Sequence, residues 1–142
     1  MDGIVREGAD SARVQVVARQ LARAGAGLDP VRRVAAIRHH LGAAFEYVRD
    51  PDGVEELSHP DRLAAAVQSH GTFRGDCDDL AIFAAAVGRA LHYPARFIAL
   101  ATGQHGLKLD HVLTEWRVGD TWVSMDTIIP NARRLAVHTW RL

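Results

Sequence analysis

From Leu80 to Leu91 the chain is apolar on nearly every side, with Ala81, Ala84, Ala85 and Ala86 among its residues. A helix with no polar face has no place on a surface, so the rest of the sequence must wrap around this one. The run Gly75-Asp76-Cys77-Asp78-Asp79 leads directly into it. Cys77 therefore sits at the entrance of a core helix, where unpaired backbone N–H groups and the positive end of the macrodipole stabilise a thiolate. Asp76 suits the cap, and Asp78 and Asp79 suit the first turn. Each of these carboxylates also repels a thiolate, so a reactive Cys77 requires a cationic imidazole brought in from elsewhere in the fold.

Upstream, apolar Val14, Val17, Ala18, Leu21 and Ala22 recur at helical spacing and predict a helix over 10–24. After Gly25 and Gly27, Asp29-Pro30 offers a cap and a first-turn proline for a second helix. Its inner face is Val34, Ile37, Leu41 and Phe45, running to about Tyr47, before a turn at Arg49-Asp50-Pro51-Asp52-Gly53. Ser58-His59-Pro60 starts a third, short helix through Leu63, Ala64 and Val67 that ends at Gly71. Beyond the core helix, Phe97-Ile98-Ala99-Leu100 reads as a strand, and 104–108 as a loop. Two further β-like runs, His111 to Val118 and Thr121 to Thr127, flank Gly119-Asp120, a pair suited to a two-residue hairpin turn. Helices first and an antiparallel sheet afterwards predict an α+β fold. One domain over 1–142 is expected, with a helical part at 1–57 and the chemistry carried by 58–142.

The hairpin supplies the missing imidazole through its register. With Gly119-Asp120 as the turn, Val118 pairs with Thr121, Arg117 with Trp122, and Leu113 faces Asp126. His111 then lies two residues beyond Leu113 on the same face, diagonal to Asp126, with backbones roughly 7 Å apart, a gap the two side chains can bridge. Asp126 would fix the imidazole tautomer while the other ring nitrogen faces the sulfur. The oxyanion of an acyl-transfer step would be met by the Cys77 backbone N–H, with Gln68 as a side-chain candidate. Asp76 is a further candidate near the substrate. Trp116 and Trp122 fall on opposite faces of the hairpin, so one is expected against the core helix and the other along a substrate groove. Asp110 and Glu115 flank the histidine in secondary positions.

The blocks Gly75-Asp76-Cys77-Asp78-Asp79-Leu80-Ala81, Tyr93-Pro94-Ala95-Arg96-Phe97, Asp110-His111-Val112-Leu113-Thr114-Glu115-Trp116 and Trp122-Val123-Ser124-Met125-Asp126-Thr127 resemble, in order, the transglutaminase-like superfamily. The resemblance covers residues 75 to 127. It implies a papain-like core in which Cys77 heads a helix packed on a sheet carrying His111 and Asp126, and it implies thioester chemistry on amide or peptide bonds. Glycine stands two residues before the cysteine, where many members place tryptophan near the motif. The acidic form of the cysteine block is similar to compact bacterial and bacteriophage members. No flanking β-domains or calcium sites fit in this length, so calcium dependence is not expected.

Charge excludes some classes. Seventeen basic residues balance 17 acidic ones, so no long-range field favours nucleic acid or anionic lipid. The single cysteine can form neither an internal disulfide nor a paired-cysteine zinc site, which fits a reducing compartment. The early arginines do not match a secretory signal and no run reaches a membrane span, so a cytoplasmic protein is expected, or a virion-associated one if phage-derived. No cofactor or metal is called for, since the histidines are scattered and His39-His40 point to different sides of a helix. A protein or peptide substrate is expected, with hydrolysis favoured over transamidation because excluding water takes an aromatic tunnel. Two other classes stay open: a catalytically silent structural module, such as a phage virion or tail component, and a metal hydrolase using Cys77 and His111 as ligands.

Overall fold

The computed structural model describes residues 2–49, 58–129 and 131–142. Three helices open the chain: α1 (Asp2–Asp10), α2 (Ala12–Ala24) and α3 (Pro30–Ala44). Ser11 caps α2 by accepting from the Val14 amide, and Asp29 caps α3 by accepting from the Arg32 amide ahead of Pro30. The Asp29-Pro30 start is the one the sequence offers, the Ser11 cap is not singled out there, and Val14, Val17, Ala18, Val34, Ile37 and Leu41 are buried as their spacing requires. Two differences stand out. Helix α1 precedes the first expected helix, and α3 ends at Ala44 because the chain turns extended at Phe45.

That extended piece is β1 (Phe45–Tyr47), which pairs in parallel with β2 (Phe73–Gly75) on the far side of α4 (Pro60–His70). This short parallel pair falls among the helices, while the four-stranded antiparallel sheet follows all five helices, as the expected α+β order has it. Pairing Phe45 with Phe73 stacks their rings at 5.1 Å, and Phe73 in turn meets Phe83 at 4.7 Å. Gly71 closes α4 with φ of 74°, a conformation that favours glycine. The expected turn after Tyr47 falls at 50–53, outside the described residues.

Helix α5 (Cys77–Ala90) is the centre of the molecule. Helices α1, α2 and α4 pack against it, and the sheet strands β3 (Ala95–Ala101) and β4 (His111–Val118) cover it from the opposite direction. Its alanines allow a close approach. The Thr114 hydroxyl donates to the Ala81 carbonyl at 2.6 Å and the Trp116 indole N–H to the Ala84 carbonyl at 2.9 Å. A side chain at Gly88 would collide with that indole, which accounts for glycine inside a helix here.

The sheet is antiparallel with strand order β5-β4-β3-β6, where β5 is Thr121–Ser124 and β6 is Ala136–Arg141. The hairpin register is the expected one: Val118 pairs with Thr121, Arg117 with Trp122, and Glu115 with Ser124. Strand β5 stops short of Thr127, although the Met125 amide still donates to the Thr114 carbonyl at 2.9 Å. Strand β6 lay outside the sequence reading. It pairs with β3 from Arg96↔Arg141 to Ala101↔Ala136, and Glu115 helps fix the segment before it. Buried at 4% exposure, that carboxylate accepts from Arg96 at 2.6 Å and from Arg134 at 3.1 Å, so two cations offset the cost of burying one anion.

Candidate active site

Cys77 is the first residue of α5 and is half-buried. Asp76 caps the helix, its Oδ1 accepting from the Asp78 amide at 3.0 Å and the Asp79 amide at 3.2 Å. Asp79 returns the favour through Oδ2, which accepts from the Asp76 amide at 3.1 Å, completing a reciprocal capping box. Its Oδ1 accepts from the Ser58 amide at 2.9 Å. Two of the three carboxylates that surround the cysteine in sequence are therefore committed to backbone amides, which spreads their charge. The Cys77 amide stands at a position where the helix itself offers no acceptor, so it is left to meet an incoming oxygen.

Glycine before this motif has a local cause. A Cβ at Gly75 would collide with the Asp79 carboxyl group, so a larger residue would push out the group that braces the helix start. Gly75→Ala is expected to destabilise the fold by about 1–3 kcal/mol and to slow alkylation of Cys77. Denaturant titration alongside iodoacetamide kinetics checks both, and unchanged stability with unchanged kinetics would contradict this account of Gly75.

His111 begins β4 and Asp126 follows β5, and both are buried, at 6% and 5% exposure. The register brings them together: His111 Nε2 and Asp126 Oδ2 are 2.8 Å apart. Asp126 is itself held by a turn, with Oδ1 accepting from the Ile128 amide at 3.2 Å and Oδ2 from the Ile129 amide at 3.3 Å. Aspartate favours such turns because its short side chain reaches amides two or three residues ahead. That preference ends β5 before Asp126 and explains why the strand is shorter than its residue pattern suggests. The two turn amides and the Ser124 hydroxyl, which accepts from the Asp126 amide at 3.2 Å, support the site without having been singled out in the sequence.

The Cys77 side chain is the other group whose proximity acts on the His111 ring. Burial is the largest single influence on the imidazole and disfavours its charge. The hydrogen bonds from Asp126 and Cys77 and the negative charges of both outweigh it, raising the pKa from 6.5 to about 9. The folded protein thus holds this proton more tightly than the unfolded chain does. The resulting stabilisation is complete below pH 6.5, fades as the pH rises, and is lost as it passes about 9. Any turnover that uses the imidazolium should fall along an alkaline limb near pH 9, measurable as a pH–rate profile, and a limb near 6.5 would contradict the arrangement.

The remaining sequence candidates lie elsewhere. Trp116 is fully buried against α5 and stacks on Tyr93, with centroids 5.0 Å apart, so it is a core residue and has no surface to offer a substrate. Trp122 is the half-buried partner expected on the opposite face, but it lies beneath the Arg96 guanidinium, 4.1 Å from the ring centroid. It stands on β5, four residues before Asp126. Gln68 is exposed on α4, whose buried side is Pro60, Leu63 and Ala64, and among the described residues it makes no side-chain hydrogen bond. Asp76 carries a capping carboxylate and cannot donate to an oxyanion. Asp110 accepts from the Thr102 amide at 3.0 Å and hydroxyl at 2.8 Å, closing the loop that leads into His111.

Among the described residues no helix is long and apolar enough to cross a membrane. A search of curated proteins finds none that matches this chain. Among solved structures, the chain is similar to "a Putative Cysteine Protease from Cytophaga hutchinsonii", with 20% identity and a TM-score of 0.55. The alignment covers 89% of this chain and 42% of that one, so the chain spans less than half the length of its structural neighbour. At that identity the likeness is one of fold, a helix-and-sheet architecture of the cysteine-protease kind. The family pattern of the transglutaminase-like superfamily matches residues 17–127, which runs from within α2 through β5 and leaves out α1, the start of α2 and β6, and the chain belongs to that superfamily.

Proposed function

We propose that the protein catalyses cysteine-dependent acyl transfer on amide or peptide bonds, with water as the final acceptor. The observation that carries this reading is the buried 2.8 Å contact between His111 and Asp126, with Cys77, at the head of α5, the other group that raises the pKa of the His111 ring. Cys77 Sγ, as thiolate, attacks the carbonyl carbon. The carbonyl π electrons move onto oxygen, and the Cys77 amide donates to that oxyanion. As the tetrahedral adduct collapses, the imidazolium gives its proton to the leaving nitrogen and the C–N bond breaks, leaving a thioester. His111, now neutral, takes a proton from water as its oxygen attacks the thioester, and the C–S bond breaks to restore thiolate and imidazolium. Asp126 keeps Nε2 protonated throughout, so that Nδ1 remains the nitrogen that works on the sulfur side.

The test is direct. Incubation with p-nitrophenyl acetate, a simple activated acyl donor, is expected to give a protein mass increase of one acetyl group on Cys77, followed by its loss in water. The adduct should be absent in Cys77→Ala. A thiol that forms no adduct, and that reacts with iodoacetamide no faster than free cysteine, would instead mark a module that keeps the scaffold without turnover. Trapping with added primary amines in place of water would redirect the reading toward transamidation.

A further inference from the structure

Behind Asp126, between the second half of α3 and the turn that follows β5, lies a cavity of about 540 Å³. Its wall carries Arg38, His39, Thr127 and Asn131, and Asp126 forms part of it. Gly42 shapes the junction, since a side chain there would collide with Thr127. Arg38 is half-buried and donates Nη1 to the Ser124 carbonyl at 3.2 Å. Among the described residues no carboxylate pairs with it. A guanidinium has five N–H donors in a fixed fork, so most of this one is left without an acceptor beside a hollow. The carboxylate that does face the cavity, Asp126, is already engaged on both oxygens and its charge is matched by His111. Among the described residues, none brings a free anion to this hollow.

We propose that this cavity is a substrate subsite for a carboxylate carried on the leaving-group half of the substrate, with Arg38 as its recognition residue. The assignment rests on the acyl-transfer reading above, because it places the cavity relative to the scissile bond. His111 must reach the departing nitrogen, and Asp126 lies beyond His111 from the sulfur. A chain continuing from that nitrogen passes the imidazole toward the cavity. The carboxylate is then either an acidic side chain next to the scissile bond or a free C-terminus. Arginine suits it better than lysine would, since a planar fork binds carboxylate through two parallel hydrogen bonds.

Binding is measured without turnover, so that this proposal and the acyl-transfer reading fail separately. Short N-acetylated peptides are titrated into the Cys77→Ala protein by NMR: Ala-Ala-Asp-amide against Ala-Ala-Asn-amide for a side-chain carboxylate, and Ala-Ala-Ala acid against its amide for a terminal one. At least one acid is expected to bind about tenfold tighter than its neutral partner, and which pair shows the preference identifies the source. The preference should vanish in an added Arg38→Gln, which retains a donor for the Ser124 carbonyl and loses the charge, and should persist in reduced form in Arg38→Lys. Because the readout is the ratio between acid and neutral peptides, general weakening of the site cancels. Equal binding of both pairs to the Arg38 protein, or an acid preference that survives Arg38→Gln, would overturn the proposal. A protein that shows the acid preference but never forms a thioester would leave the subsite standing and remove the enzymatic reading.

Discussion

Asp126→Asn is expected to lower the rate of acyl-enzyme formation by roughly three to four orders of magnitude while leaving the fold in place. The carboxylate does two things at once: it accepts a hydrogen bond from the His111 Nε2–H and it accepts the Ile128 and Ile129 amides. An asparagine has one oxygen and one NH₂ for the same positions. If the oxygen stays with the turn amides, the NH₂ faces Nε2, and the ring can satisfy it only by moving its proton to Nδ1. A neutral imidazole in that tautomer presents N–H to the sulfur and cannot take the thiol proton. If the amide turns over, its NH₂ meets backbone donors and the turn loosens. Either outcome removes the imidazolium beside Cys77. Burst kinetics with p-nitrophenyl acetate would measure the loss, and a decrease of less than tenfold would show that Asp126 is not orienting the ring.

Trp116→Ala should be the most damaging core change, at about 3–5 kcal/mol. The indole fills the space between α5 and β4, donates to the Ala84 carbonyl at 2.9 Å and stacks on Tyr93 with an interplanar angle of 13°. Its removal opens a void that the surrounding alanines are too small to fill. It also separates the helix bearing Cys77 from the strand bearing His111, so thiol reactivity should fall with stability. Guanidinium titration is expected to show a lower midpoint with the same slope. Trp122→Ala provides the contrast, because it removes mainly a half-exposed contact with Arg96, a cation–π pair of about 0.5–1 kcal/mol. Similar losses for the two variants would contradict the burial pattern.

The site was legible in the sequence to the extent that local rules set it. Asp76 and Asp79 mark a helix start through their side chains alone, and Gly119-Asp120 fixes a register that carries His111 to Asp126 with no further information. The turn residue Gly119 has φ of 60°, as a two-residue hairpin requires. What escaped was set by distant partners. Strands β1 and β2 are three residues each and exist because Phe45 finds Phe73 across an intervening helix, a pairing with no local signature. Helix α1 is only nine residues long, carries Gly3 and Gly8, and buries few apolar side chains, Val5 chief among them, so little apolar sequence marks it. Gly8 tolerates its place because a side chain there would strike Pro60, a fact of packing.

Strand β6 is mostly exposed, with Val137 and Trp140 open to solvent, and so shows no alternation of buried and polar positions. The two tryptophans of the hairpin were rightly separated onto opposite faces. Which face meets solvent depends on Arg96 lying over Trp122 and on the alanine-lined surface of α5, neither of which a hairpin register can reveal. Arg38 shows the same limit: on a helix of arginines and histidines nothing in the spacing marks it, and only the fold shows that no carboxylate among the described residues pairs with it.

The account as a whole depends on the His111 ring holding its proton between Asp126 and Cys77. The most direct measurement is an NMR titration of the His111 ring in the intact protein, in Cys77→Ala and in Asp126→Asn. The ring is predicted to hold its proton up to about pH 9 in the intact protein and to release it at lower pH in each variant. Release near pH 6.5 in the intact protein, or a midpoint that Cys77→Ala does not move, would contradict the account.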